Sequence, residues 1–306
     1  MSLALLCPGQ GAQHPAMFDR VRDNASARDV LDGASDVLGQ DVFAAAGTEA
    51  RFDNALAQPL LCAASLAQWQ ALRTQLPTPG MVAGYSIGEL AAHAIAGSID
   101  SRSCLALAAQ RAHFMDAASP VGTGMQAVLG LDRDRVQALC AAHAVHVAIA
   151  NGREHFIVGG ALTGLQSLAE EARAAGAEIR PLPVAVPSHT PLLQAAVPAF
   201  AAALDAVDWQ RPQFPVLAGI DARLVRDRAG MVHTLSAQLA QTIEWAQLMR
   251  QLFERGARVF LQLGPGTALA RMVASAYPCC EVRAAEEFQH LDGAAAWVHS
   301  ALGRVQ

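Results

Sequence analysis

The pentapeptide at residues 84–88, with the sequence GYSIG, places a serine between two glycines. A short apolar run at residues 81–83 precedes it, and a helix-like stretch at residues 89–96 follows it and ends at Gly97. Strand, glycine-flanked serine and helix are the setting of a nucleophile elbow, in which a sharp turn exposes the hydroxyl to a substrate. We predict that Ser86 is a nucleophile; an ordinary glycine-rich turn is the alternative interpretation.

A serine hydroxyl is a weak nucleophile without a neighbouring base, and His189 is the best candidate for that base among the 10 histidines. It lies between Pro187 and Pro191, which hold the backbone on a defined, non-helical path suited to presenting a side chain at a cleft. We predict that His189 is the general base; a histidine in a surface loop is the alternative.

Arg111 is predicted to point into the protein. Positions at i, i+4, i+7 and i+11 share one face of the helix expected over residues 101–118, and they are Cys104, Ala108, Arg111 and Met115. A buried guanidinium needs a partner, and its planar fork suits a carboxylate of the protein or of a ligand. A structural ion pair, or an arginine whose charged end reaches solvent, is the alternative to a ligand site.

The first glycine-rich loop is a candidate for stabilising negative charge. Gln10 lies between Gly9 and Gly11, directly after a buried strand predicted over residues 3–7. Glycines allow a backbone N–H group to approach a ligand closely. We predict that the N–H groups of Gln10 and of Ile87, which follows the serine, form an oxyanion hole.

Helices and strands alternate along most of the chain, which predicts an α/β fold with a mostly parallel sheet and helices on both faces. A helical pattern over residues 55–76 is interrupted by Pro59, and a further strand is expected over residues 258–263. No internal repeat or low-complexity linker is visible.

Residues 125–185 have a different pattern, with elements in the order β-α-β-β-α-β. This order is typical of the split, ferredoxin-like unit. We therefore predict a small inserted domain at residues 125–185 and a larger α/β body formed by residues 1–124 and 186–306.

Composition limits the classes of partner. The net charge is −5 and no basic stripe is visible, which argues against a nucleic-acid partner. The 6 cysteines show neither C-x-x-C nor zinc spacing, so we expect reduced thiols and no metal site. Because no apolar stretch approaches 18 residues and no signal-like segment is visible, we expect a cytoplasmic protein outside the membrane.

Taken together, the motifs resemble those of the malonyl-CoA:acyl-carrier-protein transacylase family. They occur in the family's order over nearly the whole chain: residues 8–13 (PGQGAQ), 84–90 (GYSIGEL), 110–111 (QR), 150–151 (AN), 157–160 (IVGG), 186–189 (VPSH), 238–239 (QL) and 263–266 (LGPG). The resemblance implies an α/β-hydrolase-like body with an inserted ferredoxin-like domain.

The resemblance also implies roles for the candidate residues: Ser86 as nucleophile, His189 as general base and acid, Arg111 as clamp on the malonyl carboxylate, and Gln10 and Ile87 as oxyanion-hole amides. The family orients its histidine with a backbone carbonyl, which corresponds here to that of Gln238. Malonyl-CoA is the implied substrate, with no metal and no tightly bound cofactor. The implied partner is an acyl carrier protein with a phosphopantetheine-type arm.

The sequence departs from the family at a few positions. Tyr85 stands where fatty-acid-synthesis members have histidine, QT at residues 241–242 replaces Asn-Pro, and residues 155–160 read HFIVGG. The tyrosine in the Gly-Tyr-Ser-x-Gly-Glu elbow is similar to the sequence of the malonate decarboxylase epsilon subunit. We therefore expect the acceptor to be the carrier subunit of a malonate decarboxylase. The alternatives are malonyl transfer in fatty-acid or polyketide synthesis, an α/β-hydrolase esterase, and a non-catalytic scaffold subunit.

An acidic carrier would need a local positive patch to dock on a protein of net charge −5. Four arginines, Arg211, Arg223, Arg226 and Arg228, are close together in the sequence and are candidates for that patch.

Overall fold

The computed structural model describes residues 2–305. Within them the strands are β1 (Ser2–Cys7), β2 (Met81–Gly84), β3 (Thr123–Leu129), β4 (Val145–Gly152), β5 (His155–Ala161), β6 (Glu178–Pro181), β7 (Val216–Leu217), β8 (Leu224–Val225), β9 (Ala257–Gln262) and β10 (Glu281–Ala284). The α-helices are α1 (Arg28–Leu38), α2 (Val42–Gly47), α3 (Asn54–Leu72), α4 (Gly88–Ile95), α5 (Ser101–Ala118), α6 (Arg133–Ala142), α7 (Leu162–Ala174), α8 (Val197–Asp205), α9 (Arg228–Ala237), α10 (Trp245–Glu254), α11 (Ala268–Ala276) and α12 (Leu291–Arg304). Short 3-10 helices cover Ala25–Ala27, Glu49–Phe52, Pro191–Ala196 and Ala285–Glu287.

The larger sheet has six strands in the order β10-β9-β1-β2-β7-β8. All neighbours in it are parallel except β7 and β8, which are antiparallel. In the central strand β1, Leu3 and Leu5 pack into one hydrophobic core while Ala4 and Leu6 pack into a second one. A strand covered on both faces reads as a continuous apolar run, which explains why β1 was recognisable. The predicted α/β fold with a mostly parallel sheet is confirmed.

The second sheet is antiparallel and has four strands in the order β4-β5-β3-β6. With α6 and α7 these strands follow the chain order β-α-β-β-α-β. Residues from both helices and from the strands share a separate core that includes Val128, Phe156 and Leu168. The separate antiparallel sheet agrees with the expected ferredoxin-like unit; the domain limits at residues 125–185 stay a prediction.

A short segment of the larger body, residues 242–244, contacts the small sheet. Ile243 forms a parallel bridge with Ile149 of β4. The Thr242 hydroxyl donates a hydrogen bond to the carbonyl oxygen of Val147 at 2.7 Å. The next residue, Glu244, forms an ion pair with Arg133 at the start of α6. The departure at residues 241–242 therefore contributes a contact between the larger body and the small sheet.

The expected interruption of the helix at Pro59 is wrong, because α3 runs through it from Asn54 to Leu72. Proline removes one backbone donor, and tertiary packing of the surrounding helix outweighs this cost. Most of α3 is buried, including Pro59 itself and Leu60. In the described part of the chain, no helix combines the length and the apolar character required to cross a membrane.

The glycines at residues 84 and 88 allow β2 and α4 to meet at the elbow. A Cβ atom on Gly84 would overlap the backbone of Gly88, and one on Gly88 would overlap the carbonyl of Cys7. We expect Gly84→Ala to lower the free energy of unfolding by about 3 kcal/mol, the scale of overpacking a rigid site. Denaturant titration tests this, with Gly47→Ala as the control because nothing lies within 4 Å of its added methyl group. Equal stabilities for the two variants would contradict the steric argument.

Candidate active site

Ser86 occupies the sharp turn between β2 and α4. Its φ angle is 57°, in the left-handed region that residues other than glycine adopt infrequently. Such strain persists only where the surrounding structure enforces it, and it occurs preferentially at active sites. The Ser86 side chain lines a cavity of about 490 Å³ between the two sheets. The strand-turn-helix context predicted from the GYSIG sequence is present.

The side chains of Ser86 and His189, 103 residues apart, meet at this cavity, where Ser86 Oγ lies 2.8 Å from His189 Nε2. On the other side of the ring, Nδ1–H donates a hydrogen bond to the backbone carbonyl oxygen of Gln238 at 2.5 Å. A carbonyl oxygen can only accept, so Nδ1 carries the proton of the neutral imidazole. Nε2 is therefore the acceptor for the Ser86 hydroxyl.

The surroundings of His189 keep its imidazole neutral. The residue is 1% exposed, and burial lowers its pKa to about 3; the positive charge of Arg111 acts in the same direction. The hydrogen bond to Gln238 acts in the opposite direction without overcoming burial. A neutral ring with an unprotonated Nε2 beside a serine hydroxyl is the arrangement required of a general base.

As predicted from its helical position, Arg111 is buried, at 2% exposure. Its Nη1 donates to Gln58 Oε1 at 2.8 Å and its Nη2 donates to Gln238 Oε1 at 3.1 Å. Burial lowers the pKa of Arg111 to about 10, which leaves the group charged at neutral pH. Both partners are neutral amides, and Arg111 forms no ion pair with any residue from 2 to 305. Arg111 is not among the residues that line the cavity at Ser86, so its use as a site for a ligand carboxylate stays a prediction.

Glu89, which the sequence analysis did not single out, is the second buried ionisable residue of this network. Its Oε2 accepts hydrogen bonds from Gln238 Nε2 and from the Gly219 N–H group, both at 2.9 Å. Burial raises the pKa of the Glu89 carboxyl to about 8. Its place in the first turn of α4 is one where an acidic residue is ordinary, because it interacts favourably with the helix dipole. Because an acidic residue is ordinary at this position, nothing in the sequence indicated the contact between Glu89 and Gln238.

Gln58 was also missed, although a signal was available. It is a polar residue followed by an apolar run on α3, and it is fully buried. Buried polar side chains require hydrogen-bond partners. Gln58 finds them in Arg111 and in Asn54, whose Oδ1 accepts from Gln58 Nε2 at 2.6 Å and from Gln10 Nε2 at 3.2 Å.

The two backbone N–H groups predicted for an oxyanion hole come from loops that touch each other. A Cβ atom on Gly9 would lie 2.8 Å from the carbonyl oxygen of Tyr85, so only glycine allows the first loop to approach the elbow this closely. Within residues 2–305, neither the Gln10 nor the Ile87 N–H group donates a hydrogen bond. Both remain available for an anion beside Ser86, and their role stays a prediction.

Tyr85, the main departure from the family pattern, forms part of the cavity wall. Its ring packs edge to face against Trp245, with ring centroids 5.2 Å apart. Burial raises the pKa of its phenol, while a hydrogen bond with Asn151 acts in the opposite direction. Tyr85 is thus held in one orientation beside the nucleophile. Among the described residues, no three His, Cys, Asp or Glu side chains are placed to hold a metal ion.

The arginine cluster suggested by sequence proximity does not line this cavity, whose lining includes Arg180 and Arg271 instead. Two members of the cluster already have acidic partners. Arg223 lies 3.8 Å from Asp221, and Arg228 lies 3.1 Å from Asp205. Neighbours in sequence at residues 211–228 therefore do not make a positive rim at the cavity.

The raised pKa of Glu89 generates a prediction about stability. The folded state binds the carboxyl proton more tightly than the unfolded chain, so this group's contribution to the free energy of unfolding falls as pH rises from about 4.5 to about 8. Glu89→Gln should remove that decline, so the stability difference between the wild type and the variant should shrink or reverse towards pH 8. Denaturant titrations at several pH values measure the difference. Glu178→Gln, at an exposed carboxylate, is the control and should leave the decline unchanged; parallel profiles for Glu89→Gln and wild type would contradict the prediction.

The chain is similar in sequence to known proteins. The sequence matches the acyl transferase domain family over residues 4–289. The malonyl CoA-acyl carrier protein transacylase of Mycobacterium tuberculosis is 34% identical over 275 residues, which cover 88% of this chain and 91% of that protein. The enzyme of the same name from Escherichia coli K12 is 29% identical over 277 residues, covering 87% of this chain and 90% of that protein.

Solved structures have the same fold over almost the whole chain. FabD from Acinetobacter baumannii superimposes with a TM-score of 0.92 at 30% identity, covering 98% of this chain and 99% of that one. PlMCAT, a malonyl-transacylase solved with the type II PKS acyl-carrier protein AntF, has a TM-score of 0.89 at 28% identity and covers 93% of this chain and 96% of its own. On the family match and this similarity, the chain belongs to the acyl transferase domain family.

Proposed function

We propose that the protein is a serine acyltransferase that moves a malonyl group from malonyl-CoA to the phosphopantetheine-type thiol of an acyl carrier protein. The observation that carries the proposal is the combination of a Ser86–His189 pair at 2.8 Å with a buried arginine that has no acidic partner in the described chain. Ser86 and His189 carry out the acyl transfer, and Arg111 binds the carboxylate of the acyl group and so selects for it. The relatives that carry the transacylase name support the same substrate.

In the first half of the reaction, His189 Nε2 takes the proton of Ser86 while Oγ forms a bond to the thioester carbonyl carbon. The negative charge that develops on the carbonyl oxygen is stabilised by the N–H groups of Gln10 and Ile87; each such donor typically contributes about 3 kcal/mol. The carbon–sulfur bond then breaks, and the departing CoA sulfur receives the proton from Nε2. The product is a malonyl ester of Ser86.

The second half reverses these steps with a different thiol. The carrier's thiol gives its proton to His189 Nε2 and attacks the ester carbonyl, the carbon–oxygen bond to Ser86 breaks, and the hydroxyl regains the proton. Throughout both halves, the carbonyl of Gln238 fixes the ring orientation and accepts the Nδ1–H group of the transient imidazolium.

An esterase is less well supported by the contacts of His189. Triads of hydrolases usually place a carboxylate at the second ring nitrogen, where it stabilises the imidazolium. Here a neutral backbone carbonyl occupies that position. The buried Arg111 also has no evident role in hydrolysing an uncharged ester.

The second part of the proposal concerns which carrier protein accepts the malonyl group. A carrier protein of fatty-acid or polyketide synthesis is favoured, because similar proteins include malonyl CoA-acyl carrier protein transacylases and a malonyl-transacylase solved with a type II PKS carrier. The carrier subunit of a malonate decarboxylase is the second candidate and rests on Tyr85, which is packed against Trp245 beside the nucleophile. The ratio of kcat/KM values for these carriers distinguishes the two.

The covalent intermediate is directly testable. Brief incubation with malonyl-CoA should add one malonyl group to the peptide containing Ser86, and addition of a carrier bearing the phosphopantetheine arm should remove it. Ser86→Ala should abolish the adduct and lower turnover by about 10³-fold or more. Intact-protein and peptide mass spectrometry measure the adduct. An adduct on a cysteine, or full turnover in Ser86→Ala, would refute the assignment.

Arg111→Ala should lose malonyl transfer by roughly 2–5 kcal/mol of transition-state stabilisation, the scale for truncating one member of a desolvated charge pair. Acetyl transfer should fall much less, because an acetyl group has no carboxylate to hold. The measurement is the ratio of kcat/KM for malonyl-CoA and acetyl-CoA. Gln58→Leu, which removes an amide partner of Arg111 but keeps its charge, is the control and should retain most of the ratio. An equal loss for both substrates in Arg111→Ala would make Arg111 structural.

A further inference from the structure

The loop that carries the Gln10 N–H group has little backbone stiffness of its own. Gly9 and Gly11 flank Gln10, and Gly11 has a φ angle of 121°, which residues with a side chain rarely adopt. The Gln10 side chain faces open space on two sides, since it lines both the cavity at Ser86 and a second cavity of about 650 Å³. The orientation of this loop therefore depends on contacts with other segments.

Two side-chain hydrogen bonds join the loop to residues 51–54. Gln10 Nε2 donates to Asn54 Oδ1, and Gln13 Nε2 donates to the carbonyl oxygen of Arg51, both at 3.2 Å. In the described part of the chain, Asn54 is the only hydrogen-bond partner of the Gln10 side chain. This one contact thus anchors Gln10 itself, while Gln13 anchors the end of the loop.

The side-chain amide of Asn54 can be placed in only one way. Its Nδ2 donates to Asp116 Oδ1 at 2.9 Å and to a backbone carbonyl oxygen of α5 at 3.2 Å, and a carbonyl oxygen can only accept. Its Oδ1 faces the opposite way and accepts from Gln58 Nε2 at 2.6 Å as well as from Gln10. Gln58 presents its NH₂ group there because its own oxygen accepts from Arg111 at 2.8 Å. The surrounding contacts therefore hold an acceptor in front of Gln10.

Building on the proposed function, we propose that Asn54 is a positioning residue for acyl transfer, which holds the Gln10 side chain so that the Gln10 N–H group points at the oxyanion beside Ser86. Asn54 does not line the cavity at Ser86, so it acts through Gln10. A donor stabilises the developing charge best when its orientation is fixed before the reaction. Loss of Asn54 should therefore slow the chemical step and leave substrate binding unchanged.

Single-turnover acylation of Ser86 by malonyl-CoA and by acetyl-CoA tests this role. Asn54→Ala should lower the maximal rate by about fivefold for both thioesters, the effect expected for one hydrogen bond, and keep each half-saturating concentration within about twofold of wild type. This equal loss differs from the effect of Arg111→Ala, which should fall mainly on malonyl transfer. A larger loss with malonyl-CoA, or a change in the half-saturating concentration alone, would overturn the proposal.

A double-mutant cycle tests the path from Asn54 to the loop. Gln10→Ala removes the side chain but keeps the backbone N–H group, so it should slow acylation as much as Asn54→Ala does. The double variant should be no slower than either single variant, because both substitutions break the same hydrogen bond. Losses that multiply, or wild-type acylation in Gln10→Ala, would show that Asn54 acts by another route and would overturn the proposal.

A paired exchange tests whether the acceptor oxygen is the feature that matters. Asn54→Asp combined with Asp116→Asn keeps an acceptor in front of Gln10 and reverses the direction of the hydrogen bond between positions 54 and 116. This double variant should acylate at a rate within about twofold of wild type. A rate as low as that of Asn54→Ala would contradict the proposed role.

Gln75→Ala is the matched control. Gln75 is an exposed amide beyond the other end of α3 that donates to the Asp292 carboxylate at 3.1 Å, and it lines neither cavity. It should leave acylation unchanged, and a loss equal to that of Asn54→Ala would overturn the proposal. A wild type that forms no malonyl ester would refute the proposed function. A wild type that forms the ester, with Asn54→Ala equally fast, would refute only the positioning role.

Discussion

Three of the hydrogen bonds made by Gln238 can coexist in only one arrangement. Its backbone carbonyl accepts from His189, its side-chain oxygen accepts from Arg111, and its side-chain nitrogen donates to Glu89. Turning the amide over would direct an NH₂ group at a guanidinium, where donor would face donor. Glu89 and Arg111 thus fix the side chain of Gln238 from opposite ends. The residue that orients the base is the same one that positions the cation.

The backbone strain at the two reacting residues is also maintained by the surrounding structure. Ser86 and His189 both have positive φ angles, 57° and 62°, and conformations of this kind cost on the order of 1–3 kcal/mol each. Each is held by contacts that come from elsewhere in the chain. The elbow is held by close packing of Gly84 on Gly88, and the His189 N–H group donates to the carbonyl of Leu239 at 2.9 Å. The fold therefore holds the reacting atoms together before any substrate binds.

Much of this could be predicted from the sequence, and the reasons differ from residue to residue. Ser86 was visible because its glycines and flanking elements form a local pattern, and the inward direction of Arg111 followed from helical spacing. The pairing of Ser86 with His189 spans 103 residues and depends on how the two parts of the body fold together. Proximity in sequence was misleading for the arginines at residues 211–228, since they lie on different elements and have different partners.

The contacts of Thr242 and Ile243 with β4 have a consequence for how this protein can be recombined. They lie only a few residues after Gln238, so the segment that orients the imidazole also carries the isolated bridge between the larger body and β4. A chimera that exchanges the small sheet alone would place a foreign β4 against the native residues 242–244. This would disturb the segment that orients His189. Exchange of that sheet should preserve the geometry of Ser86 and His189 only when residues 238–244 are exchanged together with it. The small sheet and this segment are therefore coupled in the fold, although more than 50 residues separate β6 from Gln238.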